Sequence, residues 1–140
     1  MRKEPAMPRI LTCTILATFL LVACGPPEDP SNYPESSATY GQVNAEVGCD
    51  SKASDDKKDD LFSSKYRDHW MTWTGEVVLA EADEASLNID RVGTQDLQID
   101  FANPKAGYDL EKGSTISVHF VMKTAGGCFL PFSGTHAEIR

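Results

Sequence analysis

From His69 onward the apolar side chains fall on every second residue. Met71, Trp73, Gly75, Val77 and Leu79 form one set, and Trp70, Thr72, Thr74 and Glu76 alternate with them. A two-residue period belongs to a strand with one face on a core, because successive side chains leave a strand on opposite sides. Gly75, in the middle of this long run, predicts a bulge or a sharp coil of the kind a tight barrel requires. Leu87 and Ile89 mark a second strand, Leu97, Ile99 and Phe101 a third, Ile116, Val118, Phe120 and Met122 a fourth, and Phe132 to Ile139 a fifth. A turn centred on Gly93 pairs Ile89 with Leu97 and Leu87 with Ile99, which keeps the apolar chains of both strands on one face. Asn103 to Gly113 is turn-rich, and Tyr108 and Leu110 within it are expected to cap the barrel end; Gly126-Gly127 ends the fourth strand.

Ahead of the strands, Ser51 to Arg67 predicts one helix. Ser54 stands as N-cap, Asp55 and Asp56 meet the positive end of the helix dipole, and Leu61, Phe62 and Tyr66 supply a narrow apolar face. The Asp55–Asp60 charge run reads as a solvated helix face with intrahelical pairs. One long coiled strand, a hairpin, a longer crossover and a closing hairpin are the parts of a five-stranded OB barrel, with a small β-sandwich as the alternative. The segment from Leu61 to Ile139 resembles the OB-fold bacterial lipoproteins grouped as tRNA anticodon-binding-like. The resemblance lies in a short helix followed by Trp73-Thr74-Gly75-Glu76-Val77, then Leu97-Gln98-Ile99-Asp100-Phe101, then Leu110-Glu111-Lys112-Gly113 opening a strand. It implies a mainly β fold, a five-stranded OB-fold barrel preceded by one short α-helix, and it implies no tRNA binding.

The start of the chain carries a different signal. Arg2, Lys3 and Arg9 precede an uncharged apolar run from Ile10 to Ala23, shorter than the roughly 20 residues a spanning helix needs. Leu21-Val22-Ala23-Cys24 resembles the bacterial lipobox, in which the cysteine thiol takes diacylglycerol and the small residue before it admits the peptidase. Residues 1–23 therefore read as a lipoprotein signal peptide, 24–41 as an acylated Cys24 with a disordered tether rich in Pro, Ser and acidic residues, and 42–140 as a helix plus OB-fold domain. Acyl chains, at about 0.8 kcal/mol per buried methylene, would hold the protein on a membrane rather than through it. Gly25, where an aspartate resembles an inner-membrane retention signal in enteric bacteria, favours the outer membrane, facing the periplasm.

Charge narrows the partners. The chain has 13 basic and 21 acidic side chains, net −8, and loss of Arg2, Lys3, Arg9 and Glu4 with the leader leaves net −10. Such a surface repels phosphate backbones, and the expected ligand-binding face of an OB barrel here carries Ser86, Asn88, Asp90, Asp96, Gln98 and Asp100 rather than Lys, Arg and aromatic platforms. Charge opposes nucleic acid, which is not expected as a partner. Of four cysteines, Cys13 leaves with the leader and Cys24 takes lipid; Cys49 and Cys128 are expected to pair in an oxidising compartment. Closing a loop of roughly 80 residues is worth about 4 kcal/mol in the chain-entropy account.

No catalytic constellation emerges. His69, His119 and His136 are scattered, no metal-ligand spacing or cofactor motif is present, and Ser63-Ser64 and Ser133-Gly134 sit in no nucleophile elbow. Asp90 facing Asp96 across the turn reads as a pair of solvated carboxylates. Phe129-Leu130-Pro131-Phe132 is the most apolar loop; Phe129, Leu130 and Phe132 either dock a partner or cap the core beside the disulfide. The expectation is a non-enzymatic envelope lipoprotein binding a protein or small ligand; the alternative is a structural or stress-related envelope accessory without a ligand site.

Overall fold

A computed structural model describes residues 29–140. Five strands form a closed barrel: β1 (Trp70–Ala80), β2 (Glu84–Asn88), β3 (Leu97–Phe101), β4 (Thr115–Thr124) and β5 (Phe132–Ile139), in the order β1-β2-β3-β5-β4. All neighbouring pairs are antiparallel except β3 and β5, which run parallel. The described residues are thus mainly β, with two helices where the sequence predicted one: α1 (Tyr40–Val47) and α2 (Asp55–Lys65).

The alternating pattern of β1 faces inward as expected from Met71 to Val77. The bulge lies between Val77 and Leu79 rather than at Gly75. One extra residue there reverses the facing of the chain beyond it, so Leu79 points outward at 47% exposure. Gly75 has another task. A Cβ on it would lie 2.9 Å from the Asn88 carbonyl oxygen, at the place where β1 passes from pairing with β4 to pairing with β2.

The β2–β3 hairpin is also corrected. Leu87 pairs with Leu97 and Ala85 with Ile99, a shift of two residues from the predicted register, and Ile89 belongs to the turn. An even shift leaves every side chain on its predicted face, which is why the pattern does not discriminate the two registers. Ser86, expected to face solvent, is 2% exposed between its longer partners Leu79 and Gln98. Tyr108 does not cap the barrel but lies exposed, while Leu110 packs against the core.

The core is one cluster. Met71, Trp73, Leu87, Ile99, Phe120 and Met122 fill the barrel; Val43 and Val47 join from α1, Phe62 from α2, and Tyr66 from the residue that caps α2.

The largest departure concerns the segment expected to be a disordered tether. Its residues from 29 to 41 pack on the barrel. Pro30–Asn32 form a 3₁₀ turn, Glu35 bridges to Trp70, Ser36 N–H donates to the Trp70 carbonyl, and the Trp70 N–H donates to Pro34. The physical reason is the two indoles. Trp70 Nε1 donates to the Pro30 carbonyl and Trp73 Nε1 to the Ala38 carbonyl, each at 2.9 Å. A shielded indole N–H needs an acceptor, and this polar segment brings its backbone to supply one. His119 stacks on Trp70 at 4.6 Å and its Nε2 lies 3.3 Å from Glu35 Oε1, tying the same segment to β4.

Candidate functional site

Cys49 and Cys128 are joined, with Cα atoms 4.6 Å apart across a sequence separation of 79 residues. The bond connects the chain just after α1 to the loop between β4 and β5. Beside it runs the β2–β3 turn, since Phe132 N–H donates to the Asp96 carbonyl as β5 begins. Three parts distant in sequence thus meet at one mouth of the barrel.

Asp96 organises this mouth. Its Oδ2 accepts the backbone N–H groups of Ile89 at 2.5 Å and Asp90 at 3.1 Å, and its Oδ1 accepts the Tyr40 hydroxyl at 2.9 Å. One carboxylate therefore fixes the turn and the first residue of α1 together. Burial, reinforced by that hydrogen bond and by the nearby Asp96, Asp90 and Asp50 charges, pushes the Tyr40 phenol well above its ordinary value. Asp90 accepts from the Val92 N–H at 2.7 Å. Asp96, partly buried, is thus a turn anchor rather than a solvated carboxylate, whereas Asp90 accepts one donor of its own turn and stays exposed to solvent, as expected.

Phe129, Leu130 and Phe132 part company. Phe132 is 3% exposed and lies edge-on against Tyr40 and Trp73, so it is core. Phe129 and Leu130 are 97% and 73% exposed, and they cap nothing. Strand alternation sets the difference, because Phe132 opens β5 on its inward face whereas its two predecessors lie in the loop. A short turn, closed by Gly127 N–H donating to the Leu130 carbonyl at 2.8 Å, presents them. Opposite stands Val92, 73% exposed at the tip of the β2–β3 turn.

Between the two loops lies a groove of about 420 Å³, whose walls include Asn44, Asp50, Asp90, Val92, Phe129 and Leu130. A hollow of about 290 Å³ over Trp73 and Ile89 adjoins it, sharing Tyr40 and Asp90. Tyr40, Asp50 and Val92 were not singled out in the sequence. Tyr40 carried a signal nonetheless, since Thr39 and Gln42 have capping-box spacing immediately around it.

The histidines are held by separate neighbours. His69 Nδ1 lies 2.9 Å from the Arg67 carbonyl, His119 Nδ1 lies 3.0 Å from Thr72 Oγ1, and His136 Nδ1 lies 3.0 Å from Thr135 Oγ1. Among the described residues, no group of three or more His, Cys, Asp or Glu side chains is placed to hold a metal ion, and no helix is long and apolar enough to cross a membrane. Cys24, the expected lipidation site, lies outside the described residues. Compared with protein-family models and with curated proteins, the chain matches none.

Proposed function

We propose that this chain is a membrane-anchored bacterial lipoprotein whose barrel is a non-enzymatic binding domain of OB type, acting on a protein or small ligand at the cell envelope. The observation that carries the binding role is the exposure of Phe129 and Leu130 on a disulfide-held loop beside a groove. Two adjacent large apolar side chains held in water by a fixed turn mark an interaction surface more than a fold requirement. The strand order β1-β2-β3-β5-β4 with a parallel β3–β5 closure supports the OB-type reading. Separate neighbours around each histidine support structural rather than catalytic roles. The anchor rests on Leu21-Val22-Ala23-Cys24 after a short apolar run. Phe132 favours the accessory alternative in one respect, because part of the apolar loop motif serves the core.

Two experiments test the two halves. Radiolabelled palmitate enters the wild type and not Cys24→Ala; equal labelling refutes the anchor. Crosslinking in intact envelopes captures a partner that Phe129→Ser/Leu130→Ser loses; an unchanged set of crosslinked proteins refutes the loop as a binding surface.

A further inference from the structure

The groove beside the disulfide is chemically one-sided. Asp50 and Asp90 stand exposed on its walls, and among the described residues no Lys or Arg lines it. Its apolar rim comes from both loops, with Val92 on one side and Phe129 and Leu130 on the other. We propose that this groove docks a cationic, partly apolar peptide segment of a partner protein, a Lys or Arg set beside an aliphatic or aromatic side chain. The inference rests on the binding role proposed above and names the chemistry of the partner.

Three observations support that occupant over others. The first is charge complementarity: carboxylates around an apolar rim attract a cationic segment and repel an acidic one, and the whole chain, at net −8, reinforces the field. The second is that the same charges oppose the competing occupants. Two copies meeting through this patch in a symmetric contact bring Asp50 and Asp90 towards their own equivalents. An anionic lipid surface meets the same repulsion. The third is that both rims are already ordered. Phe129 and Leu130 lie between the Cys128 bond and the buried start of β5, and the Val92 turn is held through Asp90 and Asp96. Little conformational freedom remains to be lost on binding, so a short segment suffices.

The test uses the purified protein with its disulfide intact and two labelled synthetic peptides, one alternating Lys and Leu, the other Glu and Leu. The Lys/Leu peptide binds at least about tenfold tighter than its acidic counterpart, and added salt weakens it. Phe129→Ser/Leu130→Ser costs about tenfold, Val92→Ser about threefold, and Asp50→Asn/Asp90→Asn about fivefold with a flatter salt dependence. Asp109→Asn/Glu111→Gln removes equal charge from the β3–β4 connection and changes affinity by less than about twofold, because distant charges act only through the screened field. Equal losses from the two charge variants overturn the proposal, since bulk charge then explains the binding. Loss on the loop changes without preference for peptide charge overturns the cationic partner but keeps the loop as a binding surface. Indifference of both peptides to Phe129 and Leu130, with no crosslinked envelope partner, brings down the binding role as well. Dimerisation in sedimentation, or flotation with phosphatidylethanolamine–phosphatidylglycerol vesicles, abolished by the loop changes assigns the surface to a second copy or to lipid and overturns the proposal.

Discussion

The carboxylate of Asp96 accepts from two backbone N–H groups of its own turn and from the Tyr40 hydroxyl. Removing it leaves three donors without their partner, so Asp96→Ala lowers stability by about 2–4 kcal/mol, read from urea unfolding, whereas Asp90→Asn stays within about 1 kcal/mol. The phenols at this scale also set an alkaline limit. Burial, aided by the Glu46 carboxylate, pushes Tyr66 from the ordinary 10.0 up to about 12, and burial with Asp96 raises Tyr40 as well. Below the ordinary value both phenols are protonated in the folded and the unfolded chain, and their contribution is complete. As pH rises through the raised values the unfolded chain ionises first, and that contribution is lost. Unfolding midpoints therefore fall between about pH 10 and 12 in the wild type and fall less in Tyr40→Phe/Tyr66→Phe. Neither phenol's role was legible in the sequence, because each depends on a carboxylate brought from another part of the chain. The division between Phe129 and Phe132 was closer to legible: the strand begins at Phe132, and the period places it inward.

At the scale of elements, the strands were readable and the N-terminal segment was not. A two-residue period survives in any sheet, so the first four strands are legible in the apolar pattern, while features invisible to it differ from expectation: the bulge at Val77–Leu79, an even register shift in the hairpin, the burial of Ser86 and the exposure of Tyr108. Helix α1 was hidden by its setting. Thr39 and Gln42 form a complete capping box, and Val43 and Val47 lie one turn apart on the buried face, yet the Pro- and Ser-rich stretch before them reads as a tether. What folds that stretch is the acceptor demand of two indoles far along the chain, which no local window contains. Two substitutions probe element packing. A Cβ on Gly134 of β5 collides with the Phe120 ring and lies 3.0 Å from the Val121 carbonyl oxygen, so Gly134→Ala destabilises by about 1–3 kcal/mol and Phe120→Leu partly restores the loss in thermal melts. Cys49→Ser/Cys128→Ser loses about 2–4 kcal/mol, and limited proteolysis of that variant cuts first near Phe129, where the released loop meets the protease.

On the scale of the whole molecule, the net charge of −8 favours the approach of cations over anions, so the partner proposed for the groove is selected by the surrounding field as well as by two aspartates. The barrel's closure has a further result. The barrel's fifth strand, Phe132–Ile139, pairs on one edge with β3 and on the other with β4, and no earlier strand among the described residues bridges those two. A polypeptide leaving the ribosome or a translocation pore presents its strands in order, so this barrel waits with two open sheet edges until Phe132–Ile139 is free. A stop codon just before Phe132, or a stalled exit, yields a species ready for quality-control proteases however sound its first four strands are.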